Sequence, residues 1–125
     1  MRRIQDFRPQ DLGNTAWAFA TLSLRDQPFF DSISAAAIHL INPDPSTTPQ
    51  NLTNIAWSFA TLMLKDSTLF DAIAQKAMSS IREFVPLNLS NIAWAFSKLG
   101  ERHEPLLASL AAAALHHMNE FSSRD

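Results

Sequence analysis

The hydrophobic and polar positions of the chain follow one pattern that occurs three times. The segment PQDLGNTAWAFATL at 9–22 returns as PQNLTNIAWSFATL at 49–62 and as PLNLSNIAWAFSKL at 86–99. Within each segment, apolar residues recur three or four positions apart, which is the period of an amphipathic α-helix. A proline opens each segment, and proline at the first helical position loses no hydrogen bond. Each repeat is therefore predicted to begin with a helix, called helix A, that ends near Leu22, Leu62 or Leu99.

A second apolar pattern follows at the same offsets of 40 and 37 residues. Its positions are Phe30, Ile33, Ala37 and Ile41, then Phe70, Ile73, Ala77 and Ile81, then Leu107, Leu110, Ala114 and Met118. This spacing predicts a second helix in each repeat, called helix B, with a cap at Asp26 or Ser67. On helix A the residues facing helix B are predicted to be Leu12, Thr15, Ala16, Phe19 and Leu22.

Three such hairpins predict an all-α fold, an α-solenoid of six helices that forms a right-handed superhelical segment of a longer array. We expect a single α-solenoid segment over 1–125, with repeats at 7–44, 45–83 and 84–121.

The composition limits the classes of function. The chain has 46% hydrophobic residues, enough for one domain with a core, and no cysteine, which excludes disulfides and thiolate zinc sites. A net charge of −2 means that any nucleic-acid site must be local. The longest nearly apolar stretch, at 105–115, is too short to span a bilayer, so we expect no membrane partner. No targeting segment is readable at 1–7.

The polar face of helix A carries the candidate binding residues. Six amide or hydroxyl side chains are candidates for base contacts: Asn14, Asn54, Asn91, Thr21, Ser58 and Thr61. Four cations are candidates for phosphate contacts: Arg25, Lys65, Lys98 and Arg102. Stacked repeats would align these side chains so that each repeat reads one base of a single strand. Two other roles stay open, since such amides can bond locally or to a neighbouring repeat, and cations suit a helix C-terminus.

The tryptophans Trp17, Trp57 and Trp94 lie at the edge of the apolar face of helix A. An indole ring can stack on a base, but packing against the next repeat is the favoured interpretation. The sequence places no acid, base, nucleophile or metal-ligand set together, and it has no glycine-rich phosphate loop. We therefore expect no enzyme, no metal, no cofactor and no small-molecule substrate.

The hairpin motif LxNxAWAFAxL resembles the octotricopeptide repeats of organellar RNA-binding proteins. It is also similar to the repeats of FAST-kinase-like and RAP-domain proteins, and to the helical-repeat subunit of the mitochondrial RNA-editing substrate-binding complex. The third copy, NLSNIAWAFSKLGERHEPLL, is the nearest match, and the resemblance covers 7–121. The Pro-Pro-Pro-Glu-Trp element of octotricopeptide repeats is absent.

The resemblance implies a mitochondrial or plastid protein that binds single-stranded organellar transcripts in RNA processing, stability or translation. Its other implied partners are proteins of an RNA-processing complex. The alternative is a protein–protein interaction scaffold that makes no direct RNA contact.

Overall fold

The computed structural model describes residues 6–122, with side chains to residue 119. This part of the chain contains α-helices and no strand, which confirms the all-α prediction. The helices are α1 (Pro9–Thr21), α2 (Gln27–Leu40), α3 (Pro49–Thr61), α4 (Ser67–Ser79), α5 (Pro86–Lys98) and α6 (Glu104–Ser122), with a 3-10 turn at Ile81–Glu83.

The six helices form two layers. The A helices α1, α3 and α5 lie side by side in one layer, and α2, α4 and α6 form the second layer. Each A helix also packs on the B helix of its own repeat. The core lies between the layers and is fully buried at Leu12, Phe30, Ile55, Phe70 and Ile92. Stacked hairpins of this kind fit an α-solenoid, while the hand and the array length stay predictions.

Each A helix begins with the same hydrogen bond between a backbone N–H and a side chain. The third helical side chain accepts a hydrogen bond from the backbone N–H of the residue before the proline: Asp11 from Arg8 at 3.0 Å, Asn51 from Thr48 at 3.0 Å and Asn88 from Val85 at 3.2 Å. These bonds satisfy backbone donors that the first helical turn leaves without a partner.

The B helices begin at aspartate caps in the first two repeats. Asp26 accepts the backbone N–H of Phe29 and Asp66 accepts that of Leu69, both at 3.0 Å. The predicted cap at Asp26 is confirmed. Ser67 is wrong as a cap, because it is the first helical residue and Asp66 precedes it.

Each A helix ends in the same left-handed turn. The φ angles are +58° at Ser23, +56° at Met63 and +67° at Gly100, which are equivalent positions. In the first repeat the N–H of Leu24 donates to the carbonyl of Phe19, and that of Ser23 donates to Ala20. This is the Schellman ending of a helix, which usually selects glycine. Only the third repeat has glycine at this position, so the turn could not be predicted from the sequence of the first two repeats.

Four predicted core positions are exposed in one repeat although an equivalent residue is buried in another: Leu22, Leu107, Ala114 and Met118. Leu22 is 68% exposed, whereas its equivalent Leu99 is 7% exposed. On α6, Met118 is 65% exposed, whereas its equivalent Ile41 is fully buried. These differences arise because these positions pack against a neighbouring repeat, which is present on only one side of the first and third hairpins.

Candidate nucleic-acid interface

One edge of each A helix remains open to solvent. Its positions are spaced four, three and four residues apart, which places them in one row along the helix. We call this row the outer ridge; it consists of Gln10, Asn14, Trp17 and Thr21, then Gln50, Asn54, Trp57 and Thr61, then Leu87, Asn91, Trp94 and Lys98. The other edges of α3 pack on α1, α5 and α4, so on this helix the ridge is the face left for a ligand.

The tryptophans are the largest side chains on the outer ridge. Trp17 is 47% exposed and Trp94 is 42% exposed, while Trp57 between them is half-buried. The ring centroids of Trp17 and Trp57 are 6.5 Å apart and their planes are tilted by 33°. The favoured interpretation was that these rings pack against the next repeat. Packing therefore accounts for the buried part of each ring, and the rest of the ring is exposed to solvent. The signal that could have placed them on the polar edge is their spacing of three from Asn14, Asn54 and Asn91.

Amide side chains on and beside the outer ridge form hydrogen bonds with one another. Asn14 is exposed, and Asn54 and Asn91 are half-buried. Gln50 Nε2 donates to Asn54 Oδ1 at 2.8 Å, and Asn88 Nδ2 donates to Gln50 Oε1 at 3.4 Å. The bond between repeats therefore joins Asn88 to Gln50, while Asn54 receives a bond from within its own helix. These bonds fix the orientation of the Asn54 amide before any ligand binds.

Of the three hydroxyl candidates, Ser58 is not available to RNA. It is fully buried, and its Oγ donates to the carbonyl oxygen of Asn54 at 2.6 Å. Its equivalent Ala95 is also fully buried, because this position of helix A faces the preceding A helix. Thr21 and Thr61 are exposed as predicted, and Thr21 Oγ1 donates to the carbonyl of Trp17 at 2.8 Å.

All four candidate cations are exposed. Lys98 lies on the outer ridge itself, one helical turn after Trp94. Arg25 and Lys65 line a groove of about 240 Å³ between the first two repeats, together with Asp31 and Asp66. Arg102 Nε is 2.6 Å from Glu104 Oε1. The cations thus follow the ends of the A helices, but carboxylates accompany three of them.

Other site chemistry is limited in the part of the chain that the structure describes. Among these residues, no three His, Asp or Glu side chains are grouped to hold a metal ion. No helix between residues 6 and 122 is both long and apolar enough to cross a bilayer. The outer ridge is therefore the candidate binding surface for nucleic acid.

Comparison with known protein families decides the relationship. The model of the family described as RESC6, RNA-editing substrate-binding complex 6 protein, matches residues 1–125. The chain belongs to the RESC6 family. No curated protein and no solved structure gives a significant match. The resemblance to the RNA-editing complex is thus supported for this RESC6-family chain, and its narrower likeness to octotricopeptide and FAST-kinase-like repeats stays a prediction.

Proposed function

We propose that this RESC6-family chain binds single-stranded RNA along its outer ridge as a component of a mitochondrial RNA-processing complex. The observation that carries the proposal is the row of tryptophans, two of them open to solvent over nearly half of their surface. Every repeat has a tryptophan at this position, and the indoles of Trp17 and Trp94 are exposed while that of Trp57 is half-buried. Bases of a single strand stack on such rings, each stack stabilising the complex by about 1–3 kcal/mol.

The amides and hydroxyls beside the rings supply hydrogen bonds to base edges. Asn14, Asn54 and Asn91 each lie one helical turn from a tryptophan, and an amide both donates and accepts. Thr21 and Thr61 flank the rings from the other side. A base stacked on Trp57 is then within the reach of Asn54, whose amide is already oriented by Gln50.

The cations provide the electrostatic part of the binding. Lys98 on the ridge and Arg25, Lys65 and Arg102 beyond the helix ends are exposed, which leaves them open to the phosphates of a bound strand. Because the net charge is −2 and carboxylates lie near, we expect few phosphate contacts. Affinity should fall with salt at a logarithmic slope of about −0.7 for each phosphate neutralised on a single strand.

Family membership supports the cellular setting. Membership of a family named for an RNA-editing substrate-binding complex favours a mitochondrial location, and no observation favours a plastid location. It also favours a role in RNA processing. We propose that the chain acts by binding and performs no catalysis.

The test uses intrinsic fluorescence, because the chain has three tryptophans and no tyrosine. Short single-stranded oligouridine should quench the indole emission as bases stack, and duplex RNA should quench it less. Trp17→Ala and Trp94→Ala should each lower the affinity by about 5- to 150-fold, which corresponds to the loss of one stacked base. Anisotropy of a labelled oligonucleotide measures the affinity.

Leu115→Ala is the matched control, because Leu115 is 58% exposed on α6, away from the ridge. This variant should bind as the wild type does. Unchanged affinity in both tryptophan variants, with unquenched emission on RNA addition, would remove the ridge as the binding site.

The second candidate function is a protein-interaction scaffold. It is favoured by the near-neutral charge and by an apolar surface on α5 and α6 that includes Leu107 and Met118. Partners that stay bound after RNase treatment would support it. The two functions use different faces of the molecule, so a single variant can separate them.

A further inference from the structure

A series of hydrogen bonds crosses the boundary between the second and third repeats beside the outer ridge. It begins at the backbone N–H of Val85, which donates to Asn88 Oδ1 at 3.2 Å. Asn88 Nδ2 donates to Gln50 Oε1 at 3.4 Å, and Gln50 Nε2 donates to Asn54 Oδ1 at 2.8 Å. We call these three bonds the amide network. It joins α5 to α3 and ends on the outer ridge.

The direction of every bond in the amide network is fixed at its first member. A backbone N–H can only donate, so the side-chain oxygen of Asn88 faces Val85 and its Nδ2 faces Gln50. Gln50 then accepts with its oxygen, which turns its own Nε2 towards Asn54. Asn54 accepts in turn with Oδ1. The group that Asn54 keeps for a ligand is therefore its donor, Nδ2.

This Nδ2 group is open to solvent. Asn54 is half-buried, and among the described residues its Nδ2 forms no hydrogen bond. In the same part of the chain, the one buried side-chain polar atom without a hydrogen bond is Thr47 Oγ1, so Asn54 Nδ2 is not buried. Asn54 also lies one helical turn from Trp57 on the outer ridge. A base stacked on Trp57 therefore lies beside an amide that donates, since the oxygen of that amide already accepts.

The ridge amides of the other two repeats lack this restriction. Leu87 stands at the position of Gln50 in the third repeat and has no group that could hydrogen-bond to Asn91. In the first repeat, no hydrogen bond joins the side chains of Gln10 and Asn14 within residues 6–122. Both of these amides can rotate to present either their oxygen or their nitrogen. The amide of the second repeat differs because its orientation is set before a ligand binds.

We propose that the second repeat selects a base with a keto group, uracil or guanine, over cytosine or adenine, which carry an amino group at the same place. This inference rests on the proposed binding of single-stranded RNA along the outer ridge. A keto oxygen accepts the hydrogen bond that Asn54 Nδ2 donates, whereas an amino group leaves two donors facing each other. Asparagine reads adenine by accepting from N6 while it donates to N7. That pairing needs Asn54 Oδ1, which Gln50 already occupies.

The test measures the affinity of the full chain for two short labelled RNAs, oligouridine and oligocytidine, by fluorescence anisotropy at one salt concentration. Both bases are pyrimidines with the same O2, and they differ in the keto or amino group at C4 and in the adjoining ring nitrogen. One hydrogen bond contributes about 2- to 12-fold in affinity. The wild type should therefore bind oligouridine more tightly than oligocytidine by about this factor.

Two leucine substitutions test whether Gln50 sets the preference as a positioning residue. Gln50→Leu copies the third repeat, where Leu87 stands at this position, and releases Asn54 Oδ1. The ratio of the two affinities should fall towards one, because the free amide can then rotate to accept from cytosine. Gln10→Leu is the matched control, since it makes the same change at the equivalent ridge position of the first repeat. This variant should keep the ratio of the wild type.

Asn88→Asp gives the decisive result. Aspartate fits this position, because Asp11 occupies it in the first repeat and accepts the equivalent backbone N–H at 3.0 Å. A carboxylate can only accept, so Gln50 should rotate to donate Nε2 to it and turn its oxygen towards Asn54. Asn54 then donates to Gln50 and presents Oδ1 to the base. The added charge lowers both affinities, but their ratio should invert, with oligocytidine bound about 2- to 12-fold more tightly.

Three results would overturn the proposal. Equal affinity of the wild type for the two RNAs overturns the base preference and leaves the proposed RNA binding intact. Binding of neither RNA overturns the proposed function, and the base preference with it. A wild-type ratio in both Gln50→Leu and Asn88→Asp shows that the preference does not depend on the amide network.

Discussion

Asp66 has two structural roles where its equivalent Asp26 has one. Both carboxylates cap a B helix at 3.0 Å from a backbone N–H. Asp66 also accepts a hydrogen bond from the hydroxyl of Ser34, which is 5% exposed and belongs to the preceding repeat. Removing Asp66 therefore affects both a helix end and a contact between repeats.

The two aspartates should differ in what they contribute to the free energy of unfolding. Asp26→Ala removes a cap and should destabilise the chain by about 1 kcal/mol. Asp66→Ala removes a cap and leaves the buried hydroxyl of Ser34 without its partner, which adds about 1–3 kcal/mol. The total for Asp66→Ala is then about 2–4 kcal/mol.

A second substitution separates the two roles. Ala74 occupies the position equivalent to Ser34 and is fully buried, so alanine fits this environment. Adding Ser34→Ala to Asp66→Ala removes the unsatisfied hydroxyl and should return the cost to about 1 kcal/mol, near that of Asp26→Ala.

Urea unfolding followed by far-ultraviolet circular dichroism measures these free energies. Tryptophan emission provides a second probe of the same transition. Equal costs for Asp26→Ala and Asp66→Ala, with no recovery on adding Ser34→Ala, would refute the argument that the Ser34 bond supports the first repeat boundary.

Two further predictions concern helix packing and a turn. A Cβ at Gly13 would lie 3.2 Å from the backbone oxygen of Asn51, so Gly13→Thr should overpack α1 against α3 and lower stability by about 1–3 kcal/mol. Ser90→Thr, at the exposed equivalent position on α5, should change stability by less than about 0.5 kcal/mol in the same denaturation assay. The pKa of Asp44 lies below its ordinary value, chiefly because the Ser46 hydroxyl donates a hydrogen bond to the carboxylate and secondly because the Ser46 backbone N–H does so. Ser46→Ala removes the hydroxyl and should raise this pKa in an NMR titration. Because the pKa is lowered in the folded state, the stability it contributes is present above the unfolded pKa and is lost as the pH falls through the lowered value. An Asp44 pKa that does not change in Ser46→Ala would contradict this.

The sequence by itself determined the helices and their core. Apolar side chains three or four residues apart define the side of a helix that packs on its own hairpin partner, so Leu12, Phe30 and Ile55 were predictable as core positions. The prolines and Asp26 marked helix starts for an equally local reason, since they act on the first turn alone. Repetition of the whole pattern then implied stacked hairpins.

The tertiary structure decided which edge of each A helix is open to a ligand. Ser58 and Thr61 are both polar residues beyond the apolar stripe, yet Ser58 is fully buried and Thr61 is exposed. The difference depends on where the neighbouring A helix lies. The hydrophobic periodicity of one helix does not show which other helices pack beside it. The exposure of Leu107 has the same origin, because its equivalents Phe30 and Phe70 are covered by Phe59 and Phe96 of the next repeat.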